Sequence, residues 1–336
     1  MRNLEIFGGS EKAIRPCLHR GVEVSTNGAI FVLVLAFTTD LSASVPLWRR
    51  ASCARIARGL EYTLRMDPNV RGLDQLTEAL GAARILVVTG AGISLASGVP
   101  TFRGSDPGAI WAKSVKEKGT RAYFERDPVG SWSWYLERFG LLEGKEPNPA
   151  HHALVRIEEI VQRSGREFLL VTQNVDSLHE KAGSTALVKV HGSADRARCS
   201  RDGCTNGAPR GSLAISSVDT ARFIADPVLA TVPRCNACEG LVRPHVLWFD
   251  EIYTEHADYQ FDRVTSAANR ADVALFVGTS FAVGITDLVV EACRGRSAVW
   301  SIDPVGRPPN TDVSVLAARA EEALPVLAER LHPSAR

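Results

Sequence analysis

Five short apolar runs constrain this chain more than any other feature: ARILVVTG (83–90), EFLLVTQN (167–174), LVKVHG (187–192), VALFVGT (273–279) and SAVWSID (297–303). Each is too short for a core helix and too continuously apolar for a strand with one wet face. Runs of this kind are strands of a parallel sheet covered on both sides. Helical patterns lie between them: PAHHALVRIEEIVQRSG (149–165), Ala257 to Asn269, and Ile285 to Arg294. The stretch DVSVLAARAEEALPVLAERL (312–331) also reads as helix, with a break or kink at Pro325. Strands alternating with helices predict an α/β fold with a doubly wound, Rossmann-like parallel sheet. Ligands of such sheets bind at the carboxyl ends of the strands, and the polar motifs of this chain fall there.

One region breaks the alternation. Residues 195–243 hold two cysteine pairs and little periodic structure, which predicts a small module inserted between two strands of the sheet. Residues 66–336 are expected to form the main domain around it. Residues 1–65 are basic, acid-poor and without sustained apolar period. They read as an upstream extension, with translation beginning at Met66, or as an organelle transit peptide. The first reading places the protein in the cytoplasm, the second in the mitochondrion. The extension is expected to be disordered or mis-started.

Net charge is +1, so no strong field marks a nucleic acid or a membrane surface as partner. The longest apolar run, AIFVLVLAF (29–37), is nine residues, far short of a membrane span.

TGAGISLASGVPTFRG (89–104) opens at the end of the first strand. Gly90 and Gly92 flank Ala91, and glycines there let backbone approach a diphosphate, with a following helix N-terminus favouring its charge. G-x-G alone is weak, since many tight turns need glycine. The third glycine comes late, at Gly98, and no strand-ending acid follows, which disfavours an ordinary dehydrogenase. TQNVDSLHEKAG (172–183) places Gln173, Asn174 and Asp176 at the end of the second strand. They can hydrogen-bond ribose hydroxyls and a carboxamide; helix capping explains one of the three but not all. His179 reads as structural or exposed. In VKVHGS, His191 ends a strand, where a neutral imidazole can serve as general base near neutral pH.

Cys199, Cys204, Cys235 and Cys238 form two close pairs thirty residues apart. Four thiolates in one irregular segment suit a tetrahedral Zn²⁺, and with no open position the metal is structural. Two disulfides or free thiols are the alternative. Cys17, Cys53 and Cys293 are left over. GLVRPHVLWFDE (240–251) and VGTSFAVG (277–284) are extended segments whose backbones could pair with an extended peptide. In SWSWYLERFG (131–140), Tyr135 and Arg138 share a helix face, which is either solvated surface or a reader of an anionic group.

Together these stretches resemble the sirtuin family of NAD-dependent protein deacylases. The likeness rests on GAGxSxxSGxPxFRG, TQNxDxLHxxAG, HGS, the two cysteine pairs, RPxVxWFxE and GTSxxV, in one order over roughly residues 67–305. The resemblance implies that Gly90, Ala91, Gly92, Phe102 and Arg103 line an NAD site. It implies that Gln173, Asn174 and Asp176 hold the ribose and carboxamide, with Asn174 and Asp176 beside His191 in the catalytic group. Gly278, Thr279 and Ser280 would contact the adenosine side, and Val246 and Phe249 would line a tunnel for the acylated lysine of a protein. Nicotinamide, free lysine and O-acyl-ADP-ribose would be the products. The Tyr-x-x-Arg pair resembles the class III branch, which implies preference for succinyl, malonyl and glutaryl groups over acetyl.

Departures from the pattern are Asp250 in place of a usual Gly, Asp303 in place of an adenosine-binding Asn, Ile285 in place of a common Pro, and a lengthened FRGSDPGAIW loop. An ADP-ribosyl transferase or NAD hydrolase on the same fold, and a noncatalytic NAD sensor, are the competing readings.

Overall fold

A computed structural model describes residues 68–101, 112–305, 308 and 312–332. Phe102, Arg103, Cys17, Cys53 and the whole 1–65 segment lie outside them.

The described chain runs α1 (Pro68–Ala79), β1 (Arg84–Thr89), a 3-10 helix (Ala91–Ser97), α2 (Ala112–Lys118), α3 (Arg121–Arg126), α4 (Pro128–Gly140), α5 (Pro149–Arg163) and β2 (Glu167–Thr172). It continues with α6 (Leu178–Ala182), β3 (Leu187–Lys189), β4 (Gly192–Cys199), β5 (Leu213–Ala214), α7 (Thr220–Ala225) and β6 (Val242–Val246). It closes with α8 (Phe261–Arg270), β7 (Val273–Val277), α9 (Gly284–Cys293), β8 (Ala298–Ile302), β9 (Ser314–Leu316) and α10 (Ala320–Leu331).

The main sheet is parallel, in the order β3-β2-β1-β7-β8-β9. With the inserted strands set aside this is the dinucleotide-fold order, and it reverses direction between β1 and β7. The continuous apolar pattern of β1 follows from its position. Ile85 and Val87 face a core with Leu76, Leu154, Ile157 and Leu324. Leu86 and Val88 face the opposite core with Val264, Ala268, Ile285 and Val289. Alternate side chains leave a strand on opposite faces, so both sets must be apolar when both faces are covered.

Three expected elements differ. The stretch 312–331 is not one helix: Ser314–Leu316 pairs with β8 as an edge strand, and the helix starts at Ala320. Leu316 is buried beside Ile302, and that burial decides the local conformation. The helix continues through Pro325, with Leu324, Leu327 and Ala328 held in the core. The glycine turn after β1 leads into a 3-10 helix, not an α-helix, ended by Gly98 at φ 76°. The expected helix from Ala257 is interrupted at Gln260, φ 45°, and α8 begins only at Phe261.

A second, antiparallel sheet, β5-β4-β6, carries the cysteine segment. Its apolar residues Ala197, Phe223 and Val242 form one cluster with Phe124, Trp132, Trp134 and Tyr135 of α3 and α4 and with Trp248. None of the described helices is long and apolar enough to cross a membrane.

Candidate active site

The site is built where β1 and β7 separate. Gly90 N–H donates to the Val277 carbonyl at 3.0 Å and Gly92 N–H to the Gly278 carbonyl at 2.8 Å, so the two strand ends are drawn backbone to backbone. A Cβ on Gly92 would lie 2.8 Å from Gly278 Cα, and one on Gly278 would lie 2.4 Å from Ile93 N. Gly278 also has φ 58°, which side-chain-bearing residues rarely adopt. This is a crevice at a sheet switch point, floored by bare backbone, the setting in which dinucleotides bind.

Polar side chains rim it. Gln173 Nε2 donates to Thr279 Oγ1 at 3.2 Å, joining the ends of β2 and β7. Asn174 Nδ2 donates to the Gly90 carbonyl at 3.2 Å and to Ser94 Oγ at 3.1 Å. Ser94 Oγ donates to Asp176 Oδ2 at 2.9 Å, and Asp176 Oδ1 accepts from Leu178 N–H at 3.1 Å. Asn174, Asp176, Thr279 and Ser94 are buried, while Ser280 is exposed. Asp303 lies past β8, where its Oδ1 accepts from Val305 N–H at 2.8 Å. A backbone cradle with amide, carboxylate and hydroxyl groups around it fits a dinucleotide with its ribose and carboxamide.

His191 follows β3. Its Nδ1 lies 2.9 Å from the Gln173 carbonyl and its Nε2 3.2 Å from the Tyr253 hydroxyl. A carbonyl only accepts, so Nδ1 carries the hydrogen and Nε2 presents its lone pair. Burial pushes the imidazole below its ordinary pKa, and the Gln173 carbonyl opposes this in part. The ring is therefore neutral near pH 7, as a general base must be. His179, by contrast, is buried, 3.0 Å from Thr89 Oγ1, and burial holds its pKa well below normal. It is a structural residue, as one of its two expected readings had it.

Sequence reasoning did not single out Tyr253 or Ser94. Tyr253 is met only through the fold. Ser94 stands in the quoted glycine motif, two residues past Gly92, and its hydroxyl is a usable signal once Asp176 is in view.

Val246 ends β6 and packs against the cluster containing Tyr135 and Trp248. Phe249 is 53% exposed. The Tyr135 hydroxyl accepts from Trp248 Nε1 at 2.6 Å. Arg138 lies over the Trp134 ring, 4.0 Å from its centroid, and donates to the Trp134 carbonyl at 3.1 Å. Asp250 keeps an ordinary backbone, since Glu239, Gln260 and Phe281 are the non-glycine residues of positive φ among those described. Its carboxylate accepts from the N–H groups of Arg121 and Ala122 at 2.8 and 3.1 Å, across the start of α3.

The four cysteine thiols converge. Cys199 Sγ lies 3.5 Å from Cys238 Sγ and Cys204 Sγ lies 3.7 Å from Cys235 Sγ, and all four sulfurs are within 4.8 Å of one another. No pair is a disulfide. Tetrahedral zinc at its usual bond to sulfur sets neighbouring sulfurs about 3.8 Å apart, so the set fits one structural Zn²⁺. Cys293 is buried elsewhere.

The Sir2 family model matches residues 90–284, more than half of the 336-residue chain. The chain belongs to the Sir2 family. Among its Sir2 relatives is an NAD-dependent protein deacylase of Thermus thermophilus, 42% identical over 200 residues, 59% of this chain and 70% of that one. Another is the mitochondrial NAD-dependent protein deacylase sirtuin-5 of Danio rerio, 37% identical over 249 residues, 70% of this chain and 79% of that one. A crystal structure of a Sir2 homolog–NAD complex superposes with a TM-score of 0.63 at 31% identity, covering 78% of this chain and 95% of that one. The sirtuin resemblance and the α/β fold with its inserted cysteine module stand as expected.

Proposed function

We infer that this NAD-dependent protein deacylase acts on acylated protein lysines with a preference for acyl groups that end in a carboxylate, such as succinyl, malonyl and glutaryl, over acetyl. The observation that carries the preference is the Tyr135–Arg138 pair. Tyr135 is buried, and burial raises its phenol well above the usual range, so it keeps its proton. Its oxygen already accepts from Trp248, which leaves the O–H to donate. Arg138 stays cationic despite the downward push of burial, and its side chain is only 14% exposed. A planar fork three residues on from a phenol donor can match a carboxylate, which would take the place of the Glu137 carboxylate now 3.5 Å from Arg138 Nη1.

Bound NAD supplies an electrophilic anomeric carbon with nicotinamide as its leaving group. The chain's residues do the rest. Gly90, Gly92 and Gly278 admit the diphosphate to backbone. Gln173, Asn174 and Asp176 orient the ribose and carboxamide. His191 Nε2 takes the proton of a sugar hydroxyl. Val246 and Phe249 guide the acylated lysine.

The test is steady-state kinetics on matched acetyl and succinyl peptides, with nicotinamide release and product masses followed together. Charge-assisted hydrogen bonds contribute roughly 1.5–3 kcal/mol, so Arg138→Met should lower desuccinylation efficiency roughly 10- to 150-fold and spare deacetylation. Equal loss on both peptides would refute the reading of Arg138. Mass transfer of ADP-ribose to protein, without lysine release, would favour an ADP-ribosyl transferase instead.

A further inference from the structure

The base has a partner that the family motifs do not include. Tyr253 begins a short 3-10 helix, Tyr253–Glu255, sixty-two residues beyond His191. Its ring lies parallel to the His191 ring, with centroids 5.8 Å apart and 18° between planes. Behind it, Phe261 at the start of α8 stacks on Tyr253 at 5.2 Å and 7°. The three rings form one stack, backed by the helix that covers the main sheet. The hydroxyl sits 3.2 Å from Nε2, the one ring nitrogen of His191 that carries a lone pair. A phenol and an imidazole lone pair can form only one hydrogen bond here, with Tyr253 donating.

The segment reaching Tyr253 is fixed as well. Glu251, two residues earlier, is buried and accepts from Arg198 Nη2 at 3.0 Å and from Arg243. So the phenol is aimed from both sides, by the stack and by the anchored turn.

We propose that Tyr253 is a positioning residue for the base: its hydroxyl holds the Nε2 lone pair of neutral His191 until a sugar hydroxyl takes that place. This rests on the reading of His191 as general base. The balance is simple. Nε2 has one lone pair, so Tyr253 and the sugar hydroxyl occupy it in turn. Tyr253 keeps its own proton throughout, and the proton removed from the sugar ends on Nε2. In the unliganded enzyme the arrangement fixes the ring with Nδ1–H on the Gln173 carbonyl and the Nε2 lone pair on the Tyr253 hydroxyl.

A donor on the lone pair stabilises the neutral ring, because the imidazolium has nothing to accept with. Removing it must therefore raise the pKa of His191. The charged groups on the elements around the ring are engaged elsewhere. Asp176, after β2, accepts from Ser94 and Leu178 N–H. Lys189, on β3, pairs with Glu180 at 2.8 Å and donates to Ser193 Oγ at 2.6 Å. Asp195, on β4, accepts from Ser193. Burial of the ring and the Gln173 carbonyl are the influences left, and Tyr253→Phe changes neither.

Tyr253→Phe removes the hydroxyl and keeps the stack. A net hydrogen bond corresponds to about 0.4–1 pH unit. Two readouts should move by that amount. One is the His191 titration in the unliganded protein, followed by imidazole NMR shifts assigned with His191→Ala. The other is the acidic limb of kcat/KM, which reports the unliganded enzyme. Both should move to higher pH. The acidic limb of kcat, set by the loaded complex in which the sugar hydroxyl has replaced the phenol, should move less. An unchanged His191 titration and kcat/KM limb in Tyr253→Phe would overturn the proposal. If His191→Ala itself turns over normally, the general-base reading falls and this one with it. A nearly inactive His191→Ala with unshifted Tyr253→Phe profiles removes Tyr253 alone.

Discussion

Replacing Glu251 tests how the small lobe is held to the site. Its side chain is 1% exposed and lies between two guanidiniums that are equally buried, Arg198 of β4 and Arg243 of β6. Glu251 accepts from Arg198 Nη2 at 3.0 Å, from Arg243 Nη1, from Arg243 Nη2 at 3.2 Å, and from Trp248 N–H at 3.0 Å. Arg243 in turn lies 3.0 Å from the centroid of the Trp248 ring. Glu251→Ala leaves two buried cations without their carboxylate. Breaking a buried pair by removing one partner costs about 3–5 kcal/mol. For a domain of this size that is a fall in Tm on the order of 10 °C. Glu251→Gln keeps the shape and one acceptor and should lose less.

The pH dependence has a definite sign. Burial pushes the Glu251 carboxyl up, but Arg243 and Arg198 outweigh burial and hold it below its ordinary value. A carboxyl lowered in the folded state contributes fully above its unfolded pKa, about 4.3. The contribution fades as pH falls from there through the folded value. Urea unfolding of wild type and Glu251→Gln, run from pH 7 downward, should show curves that converge only in acid below about pH 4. A loss under about 1 kcal/mol for Glu251→Ala at pH 7, or a gap that does not narrow in acid, would refute the reasoning.

Other outcomes follow from single contacts. Cys235→Ser should purify with little zinc and melt early or precipitate, because metal binding and folding of such a module are one event; metal analysis and a melting curve read this. Gly278→Ala should abolish measurable NAD binding by calorimetry while the chain stays folded, since a Cβ there meets Ile93 N at 2.4 Å and φ is 58°. Asp250→Ala removes both acceptors at the start of α3 and should cost about 1 kcal/mol of stability in urea unfolding, the usual magnitude of a lost helix cap.

The main sheet was legible because its strands are covered on both faces, which writes an uninterrupted apolar run for each of β1, β2 and β7. The zinc set was legible because a small lobe without a large core brings its sulfurs close in sequence as well as in space. Strand β9 was not: three residues are too few to show a period, and only its pairing with β8 makes it a strand. Tyr253 was not, because its partner is sixty-two residues away and nothing in YTEH marks a group that faces an imidazole. The role of Asp250 was hidden for the same reason; its two backbone partners lie 129 and 128 residues upstream. Helix spacing marks Tyr135 and Arg138, but the indole that engages the Tyr135 hydroxyl lies 113 residues further along the chain.

Strand β4 has His191 just before one end and Cys199 of the sulfur cluster at the other. It is eight residues long, starting at Gly192, next to His191, and finishing at Cys199. Beside it β6 runs back from Val242, opposite Cys199, to Val246, opposite Gly192. Leu247 N–H then donates to the His191 carbonyl at 2.9 Å. The pair is thus a ladder at most about 26 Å long, with the sulfur cluster at its foot and His191 at its head. Zinc bound at that cluster would therefore help set where the imidazole stands, although it would lie far from any reacting atom. Removing it should unfold the module while the main sheet and its helices stay folded: with a slow chelator, turnover decays ahead of the loss of helical signal, and the interval between the two measures how much of the placement of His191 depends on the sulfur cluster.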